Sequence, residues 1–186
     1  MTSVFIGGSR DISRLNDLIR SRIKNIISND FDIYIGDANG ADKTVQQYLF
    51  EAHYLRVIVY CAGSSCRNNI GHWPVNHIST ANKSNGFKFY MQKDLEMAKK
   101  ADYGFMLWDG KSAGTLNNIL TLLKLHKKCL VYFSPVKSFF TIHTTAELDN
   151  LLEKCSQNDL QKIDAKIHID KLIESISSPE QLALKF

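Results

Sequence analysis

Short apolar runs alternate along the chain with stretches in which apolar residues recur every three or four positions. Alternation between a strand period and a helix period marks a βα chain built on a mainly parallel sheet. The runs predict strands over residues 3–6, 32–35, 56–61, 103–108 and 129–133. Leu15, Leu18, Ile19, Ile23, Ile26 and Ile27 set an amphipathic helix over 14–28. Further helices are expected over 41–54, 87–100 and 114–127, the last burying Leu116, Ile119, Leu120 and Leu123.

Residues 61–86 carry no clear period, only Gly63, Gly71, Trp73-Pro74 and Gly86, and a segment that long without structure reads as a lid. Within it, His72 and Trp73 are placed to stack on a base or, as the simpler reading, to pin the loop to the core. After Pro135 the chain turns acidic and helical. Thr144-Thr145-Ala146-Glu147 has capping-box spacing ahead of Leu148, Leu151 and Leu152. Residues 156–186 read as helix with a loose end, although 166–169 also fits a short strand.

A length of 186 residues with 44% hydrophobic side chains suits one compact domain with an appendage. The net charge of +4 is uneven: the first 135 residues hold 17 basic and 11 acidic side chains. That excess fits a small anionic ligand. No dense basic block with interleaved aromatics marks a nucleic-acid surface, so no specific nucleic-acid partner is expected. No apolar run reaches membrane-helix length and the start lacks a signal-peptide pattern, so a cytoplasmic protein without a membrane partner is expected. The four cysteines, at 61, 66, 129 and 155, are then expected to remain thiols.

Three glycine-bearing loops each follow a predicted strand and precede a helix. They are Gly7-Gly8-Ser9-Arg10, the stretch from Gly36 and Asp37 through Asn39 and Gly40 to Asp42, and the stretch from Asp109, Gly110, Lys111 and Ser112 to Gly114 and Thr115. In an open parallel sheet such loops gather at the carboxyl edge, where free helix N–H groups favour phosphate or carboxylate. The dinucleotide fingerprint fails for want of a third glycine after Gly8, and the Walker A pattern fails because Phe105 stands where its first glycine belongs. Cys61, Cys66, His72 and His77 match no standard zinc spacing, so neither metal nor cofactor is expected. On the helix at 87–100 the apolar stripe reads Phe87, Met91, Leu95 and Ala98, which leaves Lys93 solvated. Asp94 then borders the buried face, where a carboxylate needs either a structural partner or a chemical role.

The early Gly-Gly-Ser-Arg, the Gly36–Asp42 segment, Lys93-Asp94 with Ala101-Asp102, and the run from Trp108 to Thr115 together resemble the SLOG superfamily. That group holds Rossmann-like nucleotide-binding domains and includes LOG phosphoribohydrolases and DprA-like proteins. Nucleoside 2-deoxyribosyltransferases look similar at the same places. The resemblance spans roughly residues 3–134. It implies an α/β, Rossmann-like open sheet of five mainly parallel strands in the order 3-2-1-4-5, with helices on both faces. Residues 1–135 would form the nucleotide-binding domain and 136–186 a helical extension packed on it.

The resemblance also implies a site for a small nucleotide-like molecule across the loops, and a homo-oligomer. Gly114-Thr115 corresponds to the Gly-Thr that closes the LOG phosphate loop, and the carboxylate of deoxyribosyltransferases that holds the sugar falls at Asp94. One departure matters most. Asn118 stands where both enzyme groups place a catalytic Glu, and an amide neither forms a glycosyl ester nor transfers a proton. Lys93 and Asp94 likewise replace an Arg and a Lys of LOG enzymes. Three readings follow: a nucleotide-binding or sensing protein without turnover, an enzyme on an N-glycosidic bond using Asp94, Asp109 or Asp37, and an interaction protein using its C-terminal helices.

Overall fold

The five predicted strands lie side by side in the computed structural model, which describes residues 1–78 and 86–177. In chain order the elements are β1 (Ser3–Gly8), α1 (Asp17–Ser28), β2 (Asp32–Gly36), α2 (Ala41–Glu51), β3 (Val57–Ala62), β4 (Val75–Ile78) and α3 (Phe87–Lys100). There follow β5 (Tyr103–Trp108), α4 (Ala113–Lys124), β6 (Cys129–Phe133), β7 (Ser138–Ile142), α5 (Thr145–Leu152), α6 (Gln157–Ile167) and α7 (Ile169–Ser177). One sheet has the order β4-β3-β2-β1-β5-β6-β7, parallel throughout except that β7 is antiparallel to β6.

The expected order survives as β3-β2-β1-β5-β6, but the sheet has seven strands, not five. Both additions are edge strands, and that is why no apolar run announced them. In β4 no residue is fully buried, and in β7 only Ile142 is. β4 lies inside the segment read as a lid, pairing Val59 with Val75, while residues 79–85 of that segment fall outside the described ones. The extension read as helical thus opens with a strand, β7, that had not been expected there. At its far end, the 166–169 stretch closes α6 and passes into α7 through His168 in the left-handed region, and the loose end at 178–186 lies outside the described residues.

Side chains alternate across the sheet and build two cores. Val4 and Ile6 join Ile19, Ile23, Val45 and Leu49 of α1 and α2 on one face. Phe5, Met106 and Trp108 join Met97, Leu116 and Ile119 of α3 and α4 on the other, where Leu148, Leu151 and Ile163 of the C-terminal helices complete the layer. Burial on both faces explains why the central strands read as continuous apolar runs. α1 begins at Asp17 rather than at residue 14 because the Asn16 side chain accepts from the Ile19 N–H and caps it. The expected capping box is formed by Thr144 and Glu147. Among the described residues no helix is long and apolar enough to cross a membrane.

Cys61 and Cys66 are disulfide-bonded, which corrects the expectation of four thiols; Cys129 and Cys155 are free. The chain turns back after β3 through Gly63 at φ 82°, which sets the two Cα atoms 5.2 Å apart.

Because β1 leads to α1 on one face while β5 leads to α4 on the other, the loops after these neighbouring strands diverge and leave a crevice at the carboxyl edge. The packing gives a direct contrast within α1, where Ile23 is fully buried but Leu18 is half exposed. Urea unfolding should show Ile23→Ala losing ~3 kcal/mol, the cost of a core cavity, and Leu18→Ala losing no more than ~0.5 kcal/mol.

Candidate functional site

The crevice holds a cavity of about 550 Å³, a volume that suits a nucleotide-sized molecule. Of the residues singled out by sequence, Gly7, Gly8, Arg10, Asp42, Asp94, Asp109, Lys111, Ser112, Gly114, Thr115 and Asn118 line it. Ser9, Gly36, Asp37, Asn39, Gly40 and Gly110 do not. The wall also includes Arg67, Tyr90 and Lys166, which the motifs had not marked, and Lys93, which had been expected in solvent.

Asp109 is the joint between the first and third loops. Its Oδ1 accepts from Ser9 Oγ at 2.9 Å, the Lys111 N–H at 2.9 Å and the Ser112 N–H at 2.8 Å. Its own N–H donates to Ser9 Oγ at 3.1 Å, and Ser9 is wholly buried. This oxygen is committed to loop geometry and acts as a staple, whereas no hydrogen bond to Oδ2 is found among the described residues, so Asp109 keeps one oxygen open at the cavity wall. Ser112 caps α4 by accepting from the Thr115 N–H, and the first turn of the helix faces the cavity through Ser112, Ala113, Gly114 and Thr115. First-turn N–H groups have no acceptor inside their own helix, which makes this end attractive to an anion.

Asp37 is committed in the same way. Both its oxygens bind the Arg67 guanidinium, at 2.6 and 3.1 Å, and the Arg67 N–H adds a third bond at 3.0 Å. Burial works to raise its pKa, but the Arg67 hydrogen bonds and the nearby Lys93 charge prevail and hold it below the usual carboxylate value. With 2% exposure and no place on the cavity wall, Asp37 is set aside as a catalytic candidate. Asn39 is likewise occupied, accepting from Asn68 Nδ2 at 3.0 Å. Gly40, at φ 79°, lets α2 start against the backbone of Arg10, where a Cβ would overlap the Arg10 carbonyl carbon.

Lys93 was expected in solvent and is instead buried, at 3% exposure. The buried face of α3 is Lys93, Met97, Ala98 and Ala101, whereas Leu95 is 40% exposed, so the true stripe is rotated from the one drawn through Leu95. The side chain of Phe87 lies outside the described ones. Lys93 Nζ donates to Asp94 Oδ1 at 2.6 Å. Burial works against its charge, but Asp94, Asp42 and Asp37 outweigh burial and raise its pKa, so it stays an ammonium ion. The ammonium sits over Gly36, where a Cβ would lie 2.6 Å from Nζ and overlap the Asp42 carboxylate. Gly36 therefore serves the site by leaving room for an ion cluster.

Asp94 also faces the cavity, in a pose held from two sides. Lys93 holds Oδ1, and Asn118 Nδ2 donates to Oδ2 at 3.4 Å. One turn earlier on the same face of α3, Tyr90 lies under the Arg67 guanidinium at 4.4 Å and within 5.9 Å of that of Arg10. Arg67 carries no sequence signal because it sits in an irregular loop, and Lys166 none because it arrives from the C-terminal extension.

Asp42, buried and among the described residues accepting only the Ala38 N–H, at 3.2 Å, has its pKa pushed up to about 6, by burial first and with Lys93 offsetting part of the rise. A carboxylate whose folded pKa exceeds its unfolded value adds stability below the unfolded value and loses it as pH rises through the folded one. The stability of the protein relative to Asp42→Asn should therefore fall on going from pH 4 to pH 7.5, by on the order of 2 kcal/mol, as read by urea unfolding at each pH. Asp37, shifted the opposite way, titrates below this window.

No family model matches the chain, and no curated protein matches it. Among solved structures it is similar to DNA processing protein A from Helicobacter pylori, a structure described for its unique single-stranded DNA binding mode, with a TM-score of 0.57. The two are 15% identical, and the match covers 88% of this chain and 79% of the other. A likeness at that identity speaks to fold. In that protein a fold of this kind carries single-stranded DNA binding, so the expectation of no specific nucleic-acid partner, drawn here from the lack of a dense basic block, does not stand. The chain has a Rossmann-like α/β fold related to that of DNA processing protein A.

Proposed function

We propose that this protein binds a phosphorylated nucleotide unit, presented free or within single-stranded nucleic acid, in the SLOG manner its loops suggest. One observation carries the reading. Arg10, Lys111 and Lys166 surround the same cavity as the first turn of α4, and among the described residues none of the three has an ion-pair partner. Three unneutralised cations and a helix N-terminus around one concavity make a phosphate site. Tyr90, with Arg67 above it, offers a flat polarisable wall for a base. The fold shared with a single-stranded DNA binding protein supports the same ligand chemistry.

A second reading, cleavage of the N-glycosidic bond of that ligand, is favoured by the contact between Asp94 and Asn118. The amide occupies the position of the enzymes' Glu, and the neighbouring helix brings a carboxylate to it. Asp94 would then stabilise the oxocarbenium-like centre. Base release measured by chromatography should vanish in Asp94→Asn while ligand binding persists; an unchanged rate in that variant removes Asp94 from the chemistry.

Binding is tested by fluorescence anisotropy with a labelled oligothymidylate, competed by thymidine monophosphate. Lys111→Ala and Arg10→Ala should each weaken binding about tenfold and reduce the salt dependence by about one phosphate contact. Competition by the mononucleotide marks the single unit as the ligand, and its failure to compete marks the strand. No binding by the unaltered protein, or full binding by both variants, overturns the proposal.

A further inference from the structure

Arg67 reaches the cavity from a loop that one covalent bond ties to the sheet. Cys61 is wholly buried at the end of β3, and Cys66, the residue before Arg67, is partly exposed. Between them Gly63 is held to β4 by donating its N–H to the Ile78 carbonyl, but Ser64 and Ser65 are exposed and make no hydrogen bond among the described residues. Beyond the bridge the chain is anchored at each step. Arg67 holds Asp37, Asn68 donates to the Asp37 carbonyl at 2.8 Å, and the Ile70 N–H donates to Gln46 at 3.0 Å.

We propose that Cys61–Cys66 is a redox-active pair that sets the affinity of the cavity by fixing or releasing the segment that presents Arg67. The effect on ligand rests on the nucleotide-binding reading above. Exposure decides the chemistry. The thiolate of a small dithiol attacks Cys66 Sγ, on the more exposed of the two cysteines; the S–S bond breaks, and its electron pair leaves on Cys61 Sγ, which takes up a proton. The second thiol of the reductant then attacks the mixed disulfide, leaves as part of a cyclic disulfide, and releases Cys66 as a thiol. Two protein thiols appear for each dithiol oxidised, and a small disulfide reverses the reaction by accepting the same two electrons. The remaining cysteines do not compete: burial pushes the Cys129 thiol well up, and burial, with Asp159 and Asp109 nearby, pushes Cys155 up to about 11.

Loss of the bridge restores backbone freedom to the loop between Gly63 and Arg67 while the Asp37 pair remains. Each time that pair opens, Arg67 is no longer retained by the bridge and moves off the Tyr90 ring, and the cavity loses one wall.

The test uses the full-length protein, equilibrated with oxidised glutathione or with dithiothreitol, and Cys66→Ser as a permanently open form. Alkylation and mass spectrometry count thiols, hydrogen exchange follows residues 62–70, and anisotropy measures oligothymidylate affinity. Oxidised protein should expose only Cys129 and Cys155 to alkylation after unfolding. Both open forms should exchange residues 62–70 about tenfold faster and bind the probe about threefold more weakly. Failure of the bridge to form in oxidised glutathione, equal exchange in the two states, or faster exchange with unchanged affinity would each overturn the proposal. If the probe binds neither form, the ligand reading fails and its redox control with it, while the exchange rates still show whether the pair governs the segment.

Discussion

An ammonium ion in a protein interior is tolerated only where anions meet it, and Lys93 imposes that demand on three parts of the chain. Asp94 from its own helix takes the hydrogen bond, and Asp42 from the start of α2 supplies further negative charge. Gly36 at the end of β2 gives up its side chain to make the space. The elements that flank the crevice are drawn to one point by this requirement. Removing one partner from such a cluster strands the remaining charge, so the arrangement acts as a unit and keeps the cavity floor in one shape.

Around that floor, the loops differ in how they are held. The loops after β1 and β5 are locked to each other through Ser9 and Asp109, whose hydrogen bonds run in both directions. The loop after β3 has the covalent tie from Cys66 to Cys61 and the ion pair from Arg67 to Asp37. Among the described residues Arg10, Lys111 and Lys166 have no ion-pair partner, and all three are exposed, so they meet an incoming anion at little desolvation cost. The site thus combines a rigid polar floor with an adaptable charged mouth, a division suited to ligands that share a phosphate and differ beyond it.

Much of this was legible in the chain itself. Continuous apolar runs gave away the five inner strands because both faces of a central parallel strand are buried; β4 and β7 escaped because an edge strand buries so little. The three glycine loops were found by their position between strand and helix. What each residue in them does was not: Asp37, Asp94 and Asp109 look equally available in sequence, and only the partners that converge in space reveal that both Asp37 oxygens are engaged by Arg67 while Asp109 gives one oxygen to the loops. Lys93 was misplaced because Leu95, an exposed apolar residue, pulled the inferred stripe around the helix. Arg67 and the Cys61–Cys66 bridge depend on a turn through Gly63 that no periodicity encodes.

The vacant volume above Gly36 also constrains how the protein can change over generations. Any replacement there meets the Lys93 ammonium and the Asp42 carboxylate at once, so it is viable only in a lineage where position 93 has already become shorter and both charges have been lost together. Three positions on three separate elements are therefore inherited as one trait, and relatives of this protein should divide into those that keep Gly, Asp and Lys together and those that keep none of them.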